Sequence, residues 1–139
     1  MTDHVVPDLT IGQVAERTGL SVHALRFYER EGLFTTPVRR DTAGRRVYRE
    51  DDLDWLDICV RLRSSGMPVA EIRRYAALVR DGRGNEHERL GLLRAHQNRV
   101  TAQIAELNRC LDVISHKVKV YEEHVADGTA GELWTASGS

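Results

Sequence analysis

The stretch TIGQVAERTGLSVHALRFYEREGL, Thr10–Leu33, reads as two short helices separated by a glycine turn. Thr10 and Gln13 have capping-box spacing, and Leu9 with Val14 has the spacing of a hydrophobic staple. Ile11, Val14 and Ala15 form one inward stripe, and Gly19 suits the left-handed position that ends a helix. Ser21 is placed to cap a second helix from Val22 to about Glu31. Val22, Leu25 and part of Tyr28 turn inward there, and Gly32 ends it. Two such helices joined by a tight glycine-containing turn describe a helix-turn-helix.

On the second helix, His23, Arg26, Phe27 and Arg30 fall opposite Val22 and Leu25. The second helix of a helix-turn-helix enters the major groove of DNA. Arginine there pairs with guanine or phosphate, and an aromatic ring packs on sugar or a thymine methyl. The plainer alternative is a solvated face with one stray aromatic.

PVRRDTAGRRVY follows, with turn residues Pro37, Asp41 and Gly44 flanked by Val38 and by Val47–Tyr48. This pattern predicts a small hairpin with arginines on both arms, Arg45 and Arg46 among them. After a helix-turn-helix, a basic hairpin is a wing; otherwise it is a surface loop. Asp51 or Asp52 is positioned to cap a third helix through about Ser65, with Leu53, Leu56 and Val60 on one side and Trp55, Ile58, Cys59 and Leu62 widening the stripe. Gly66 stops it. A fourth helix follows in MPVAEIRRYAALVRDG, with Val69, Ile72, Ala76 and Val79 inward and Gly82 as its end.

Asn85 and Glu88 offer the start of a longer helix. Leu90, Leu93, Gln97, Val100, Ile104, Leu107, Leu111, Ile114, Val118, Tyr121 and Val125 then recur at alternating spacings of three and four, which is a coiled-coil seam. Such a helix would run roughly 60 Å, and one short domain cannot cover its stripe. The economical cover is a second copy, paired antiparallel through Leu93, Val100, Ile104, Leu107, Leu111, Ile114, Val118 and Tyr121. The alternative is a helix folded back on its own domain. The expected architecture is mainly α: a winged helix-turn-helix domain with a small β wing and two support helices over 1–84, a coiled-coil dimerisation helix over 85–126, and a small, polar, flexible tail over 127–139 in which Trp134 stands out.

The bulk numbers narrow the classes. Of 139 residues, 41% are hydrophobic and 29% charged, an ordinary globular composition. No apolar run approaches membrane-helix length and no signal peptide is visible, so the expected compartment is the cytoplasm. A net charge of -1 argues against indiscriminate nucleic-acid binding, yet Arg39–Arg49 holds five arginines and one aspartate. Cys59 and Cys110 make neither a disulfide framework nor a closed zinc site. No phosphate loop, nucleophile constellation or paired catalytic carboxylates are present, so no enzyme and no cofactor are expected.

The blocks LRFYEREGL, GRRVY and SGMPVAEI, in that order and followed by a long terminal helix, closely resemble the MerR family of bacterial transcriptional regulators. The resemblance covers residue 9 to about 125. It implies DNA contacts at Ser21, His23, Arg26, Phe27 and Tyr28, a wing arginine at Arg46 with its tyrosine at Tyr48, and a phosphate contact at Arg63. It further implies a nucleoid-bound homodimer on double-stranded promoter DNA that bends and untwists an overlong spacer, so that RNA polymerase engages both promoter elements. Two other functions share these features: a winged architectural DNA-binding factor without an inducer, and a coiled-coil protein adaptor.

The signal is read only by resemblance. Metal-sensing relatives carry cysteines at the start of the long helix and after it; here Glu86 and His87 stand at the start and the region after the helix has no cysteine, so no metal site is expected. Only about a dozen residues follow the helix, so no large drug-binding domain is expected either. ISHKVKVYEEH resembles the branch that answers aldehydes, other electrophiles or nitrosative stress, which implies a small-molecule inducer. That branch has a cysteine in the third helix where this chain has Arg61, with Cys59 two residues earlier. Cys59 reads either as core packing or as a redox sensor, a low-pKa thiolate near Arg61 or Arg63. Cys110, flanking the seam, is a second candidate, through a cross-link to its copy.

Overall fold

The computed structural model describes residues 8–129 and residue 131; Trp134 and most of the expected tail lie outside them. The chain forms two compact units, residues 1–96 and 97–139. The elements, in order, are β1 (Leu9–Thr10), α1 (Ile11–Thr18), α2 (Val22–Arg30), β2 (Arg39–Arg40), β3 (Arg46–Tyr48), α3 (Glu50–Ser64), α4 (Val69–Asp81) and α5 (Glu86–Asp127).

The local signals of the first helices act as expected. Thr10 Oγ1 accepts the Gln13 N–H at 3.1 Å, and Gln13 Oε1 accepts the Thr10 N–H at 2.8 Å. Ser21 Oγ accepts the Ala24 N–H at 3.0 Å. Gly19 takes φ 78°, a conformation that costs glycine little. Two details differ from the sequence reading. Leu9 and Thr10 are a strand as well as a helix entry: β1 pairs antiparallel with β3 (Leu9 opposite Tyr48, Thr10 opposite Val47), so the hairpin becomes a three-stranded sheet of order β1-β3-β2. The cap of α3 is Arg49, whose N–H is accepted by Asp52 Oδ2 at 2.9 Å, so Asp52 serves from inside the first turn.

The core of the first unit gathers Val14, Leu25, Leu33, Phe34, Tyr48, Leu56, Met67 and Ile72 around the helix-turn-helix, sheet and support helices. On α3 the buried stripe centres on Trp55, Leu56 and Cys59, while Ile58, expected inside, is 42% exposed. The chain leaving α2 is held from two sides. Trp55 Nε1 donates to the Leu33 carbonyl at 2.6 Å; Arg80 Nη1 donates to the carbonyls of Phe34 at 2.6 Å and Gly32 at 3.2 Å. Where α5 begins, Asn85 turns its amide onto the Leu78 carbonyl at 2.8 Å and accepts Arg89 Nε at 2.7 Å. Buried His96 shares a 2.8 Å hydrogen bond with Ser65.

In the second unit α5 presents apolar side chains to solvent on one face. Ile104, Leu107, Leu111, Ile114 and Val118 are each more than half exposed in the single chain, and Tyr121 is 43% exposed. Of the other residues expected on the seam, Leu93 and Val100 are half-buried. The helix ends at Asp127, where Gly128 takes φ 76° and the Thr129 N–H donates to the His124 carbonyl at 2.9 Å. No helix among the described residues is long and apolar enough to cross a membrane.

The Trp55 bond yields a stability test. Trp55→Phe keeps most of the ring but leaves a buried carbonyl with only the weak Cys59 thiol as donor, which costs about 1–3 kcal/mol. Urea unfolding should give a free energy lower by that amount, read as a lower midpoint with an unchanged slope.

Candidate nucleic-acid interface

The solvent face of α2 is built by exclusion. Leu25 and Tyr28 lock one side of the helix into the core, which leaves His23, Arg26 and Arg30 exposed. Neither His23 nor Arg26 makes an ion pair with any described residue, so both keep their hydrogen-bonding capacity for a ligand. Ser21 is exposed as well, though its hydroxyl is engaged in the cap.

Phe27 resolves differently from the sequence reading. It is half-buried against the core, its centroid 6.0 Å from that of Tyr28, and the Arg30 guanidinium lies 6.0 Å from the Phe27 centroid. The ring therefore leans on its helical neighbour instead of pointing freely at water, and Arg30 caps it as a cation over a π face.

The two tyrosines expected to touch DNA are core residues. Tyr28 is 7% exposed and Tyr48 is fully buried, so both pack in the core of the free chain. Burial raises the pKa of each hydroxyl; for Tyr48 the nearby Glu29 carboxylate adds to the effect. The physical reason lies in the sheet: β1 and β2 flank β3, and Tyr48 at the end of β3 turns beneath them into the Phe34 ring, at 6.0 Å. The Tyr48 hydroxyl has no hydrogen-bond partner among the described residues.

The wing arginines separate into two groups. Arg45, at the tip, is 79% exposed on its side chain and pairs with Asp41 at 3.1 Å. Asp41 shapes that tip: its carboxylate accepts the N–H groups of Arg45 and Ala43, both at 2.9 Å, and these bonds, the Arg45 N–H foremost, hold its pKa below the usual range. At the base, Arg46 hydrogen-bonds to Glu29 on α2, Arg40 lies 3.8 Å from the same carboxylate, and Arg39 lies 3.6 Å from Asp52 on α3. Arg63 is exposed near the end of α3, and its Nη1 reaches the Met67 carbonyl at 3.5 Å. Sequence reasoning missed Glu29 and Asp52 as partners. Both acids are plain in the sequence, but nothing local links Glu29 to an arginine 17 residues away.

Of the two thiols, Cys59 is buried and weakly bonded to the Leu33 carbonyl at 3.9 Å, and desolvation pushes its pKa up to about 12. Of the two readings of Cys59, core packing fits this environment and a low-pKa thiolate near Arg61 or Arg63 does not. Cys110 is exposed, 3.8 Å from Glu106 Oε2. No group of three or more His, Cys, Asp or Glu residues among the described residues is arranged to hold a metal ion.

A helix-turn-helix with a basic three-stranded wing defines a DNA-reading head. Residues 9–78 match the model of the MerR HTH family regulatory proteins, and residues 53–117 match the family's DNA-binding model. An HTH-type transcriptional regulator of Haemophilus influenzae, itself uncharacterized, is 38% identical over 120 residues, spanning 86% of this chain and 88% of that one. Among solved structures, HiNmlR, a MerR family regulator lacking the sensor domain and bound to promoter DNA, is 35% identical with a TM-score of 0.80, covering 91% of this chain and all of that one. A MerR family regulator from Bacillus thuringiensis is 29% identical with a TM-score of 0.73, covering 83% of this chain and all of that one. The chain belongs to the MerR family of DNA-binding transcriptional regulators.

The contrast between the thiols is measurable. In the native protein a thiol reagent at mildly alkaline pH should titrate Cys110 and leave Cys59 unmodified until the chain unfolds. With the Cys59 pKa raised from 9.0 to about 12 on folding, the neutral thiol favours the folded state. That contribution is complete below about 9 and is lost as pH rises towards about 12. Cys59→Ala should flatten the loss of stability in that window.

Proposed function

We propose that the chain acts as a homodimer that binds a palindromic promoter site and distorts the DNA between promoter elements, controlling access of RNA polymerase in response to a signal. The observation that carries this reading is the exposed ridge of His23, Arg26 and Arg30 on α2, inside a head that also bears a basic wing. The likeness to HiNmlR, which is bound to promoter DNA, supports it. In this reading Arg26 and His23 read base edges, Ser21, Arg30 and Phe27 meet the sugar-phosphate backbone, and Arg45 and Arg63 hold phosphates. Tyr28 and Tyr48 support these residues from the core. The place of action is then the bacterial cytoplasm, on the nucleoid.

Residues 1–84 serve as the reading head and 85–126 as the dimerisation helix, antiparallel to its copy, with 127–139 as a tail. The seam from Ile104 to Tyr121 supports the dimer, since each aliphatic side chain it removes from water stabilises by roughly 1.5–3 kcal/mol. A two-fold dimer of such heads calls for an inverted repeat. The signal we attach to it is a small electrophile or stress, carried by the likeness of the long helix to that branch of the family. Of the two cysteines, Cys110 is the one a reagent reaches first.

Footprinting on DNA flanking the gene, with and without aldehyde or thiol oxidant, should protect an inverted repeat, with affinity falling steeply as salt rises. Arg26→Ala should weaken binding by about 1–3 kcal/mol. Protein that leaves every flanking duplex unprotected would overturn the reading. Separately, sedimentation at micromolar concentration should give twice the chain mass, and Leu107→Lys combined with Leu111→Lys should give the single chain.

A further inference from the structure

The base of the wing is held to α2 through one carboxylate. Glu29 receives Arg46 from β3 on Oε1, and Arg40 from β2 stands 3.8 Å from Oε2. The Arg46 and Glu29 side chains are 25% and 26% exposed, so most of the pair is out of water. Its attraction is therefore screened less than that of the surface pairs Arg45–Asp41 or Arg61–Asp57. Arg46 also occupies the strand that matters most for placement. β3 is the middle strand and pairs with both β1 and β2, so whatever fixes Arg46 fixes the sheet. Residues two apart on a strand share a face, so Arg46 and buried Tyr48 both turn towards the core side. The inner face of β3 is thus tied to α2 through Glu29 and packed through Tyr48.

A phosphate that drew Arg46 away from α2 would have to pull it off a carboxylate already bonded to its Nε. It would exchange one anion for another and leave the displaced Glu29 close by as a repelling charge. Arg45 at the tip is paired too, its Nε donating to Asp41 Oδ2 at 3.1 Å, but its side chain is 79% exposed, so that pair is screened by water and yields more readily to a phosphate.

We infer that Glu29 is a positioning residue for DNA recognition: by binding Arg46 and Arg40 it sets the spacing between α2 and the wing, and these two arginines act as internal struts while Arg45 meets the phosphate. The inference rests on the DNA-binding reading of the head.

The test compares Glu29→Gln with the wild-type chain by three measurements: thermal melting, hydrogen exchange of the wing amides in the free protein, and footprinting across a salt series on a duplex the wild type protects. With Glu29 as the positioning residue, the variant melts within a few degrees of wild type, yet amides 39–48 exchange at least tenfold faster. The duplex binds about tenfold more weakly, protection beneath the wing fades, and protection beneath α2 persists. If Glu29→Gln does not fold, Glu29→Asp, which keeps the charge but withdraws it by one methylene, is read by the same three measurements with the same expectations. Unchanged wing exchange overturns the inference. So does equal or tighter binding with a steeper salt dependence, because arginines released from Glu29 would then be gripping phosphates. Hydrogen exchange needs no DNA, so a wild-type chain that protects no duplex counts against the DNA-binding reading while the exchange result still judges the struts.

Discussion

The head depends on how the chain is held where it leaves α2. The carbonyls of Gly32, Leu33 and Phe34 have passed the end of a helix and not yet joined a sheet, so the backbone offers them no regular partner. Trp55 from α3 and Arg80 from α4 supply the missing donors at 2.6 to 3.2 Å, and Arg73 adds a bond to the Glu31 carbonyl at 2.7 Å. A buried carbonyl without a partner costs about 1–3 kcal/mol, so these donors decide whether the joint has one conformation or several. The two support helices therefore do more than cover apolar surface. They lock the segment that joins the recognition helix to the wing.

That lock explains how the charges are sorted. Once the joint is fixed, Glu29 on the inner flank of α2 meets the base of the wing, and Asp52 at the start of α3 stands beside Arg39. The acids neutralise the arginines nearest the core, while His23, Arg26 and Arg45 stay outward. Cys59 belongs to the same neighbourhood, its sulfur directed at the Leu33 carbonyl, and the dryness that makes that bond possible also keeps the thiol protonated.

Much of this was legible from local chemistry. Thr10, Gln13, Gly19 and Ser21 specify helix ends through bonds to residues within four positions, and the seam of α5 is a matter of period alone. Two-residue strands such as β1 carry no periodicity, so Leu9 and Thr10 showed only their helix-capping role. Phe27 and Tyr28 sit deeper than a helical wheel alone conveys, because it shows which residues oppose each other but not how far neighbouring elements wrap around them, and nothing local shows the sheet closing over Tyr48. The partnerships of Glu29 with Arg46, Trp55 with Leu33 and Arg80 with Phe34 link residues 17 to 46 positions apart. No spacing rule reaches that far.

Arginine is used here as mortar. Arg80 meets two carbonyls through Nη1, and Arg89 holds the Leu78 and Gly82 carbonyls through Nη2 while its Nε, at the other side of the same rigid plane, meets Asn85. Lysine carries the same charge as a single compact point on a flexible stem, without a fixed plane or a second, separated donor. In folding, a library exchanging every arginine of this chain for lysine would therefore split in two, with the outward positions tolerant and those that close backbone gaps less so, although a tally of formal charge would find the two sets identical.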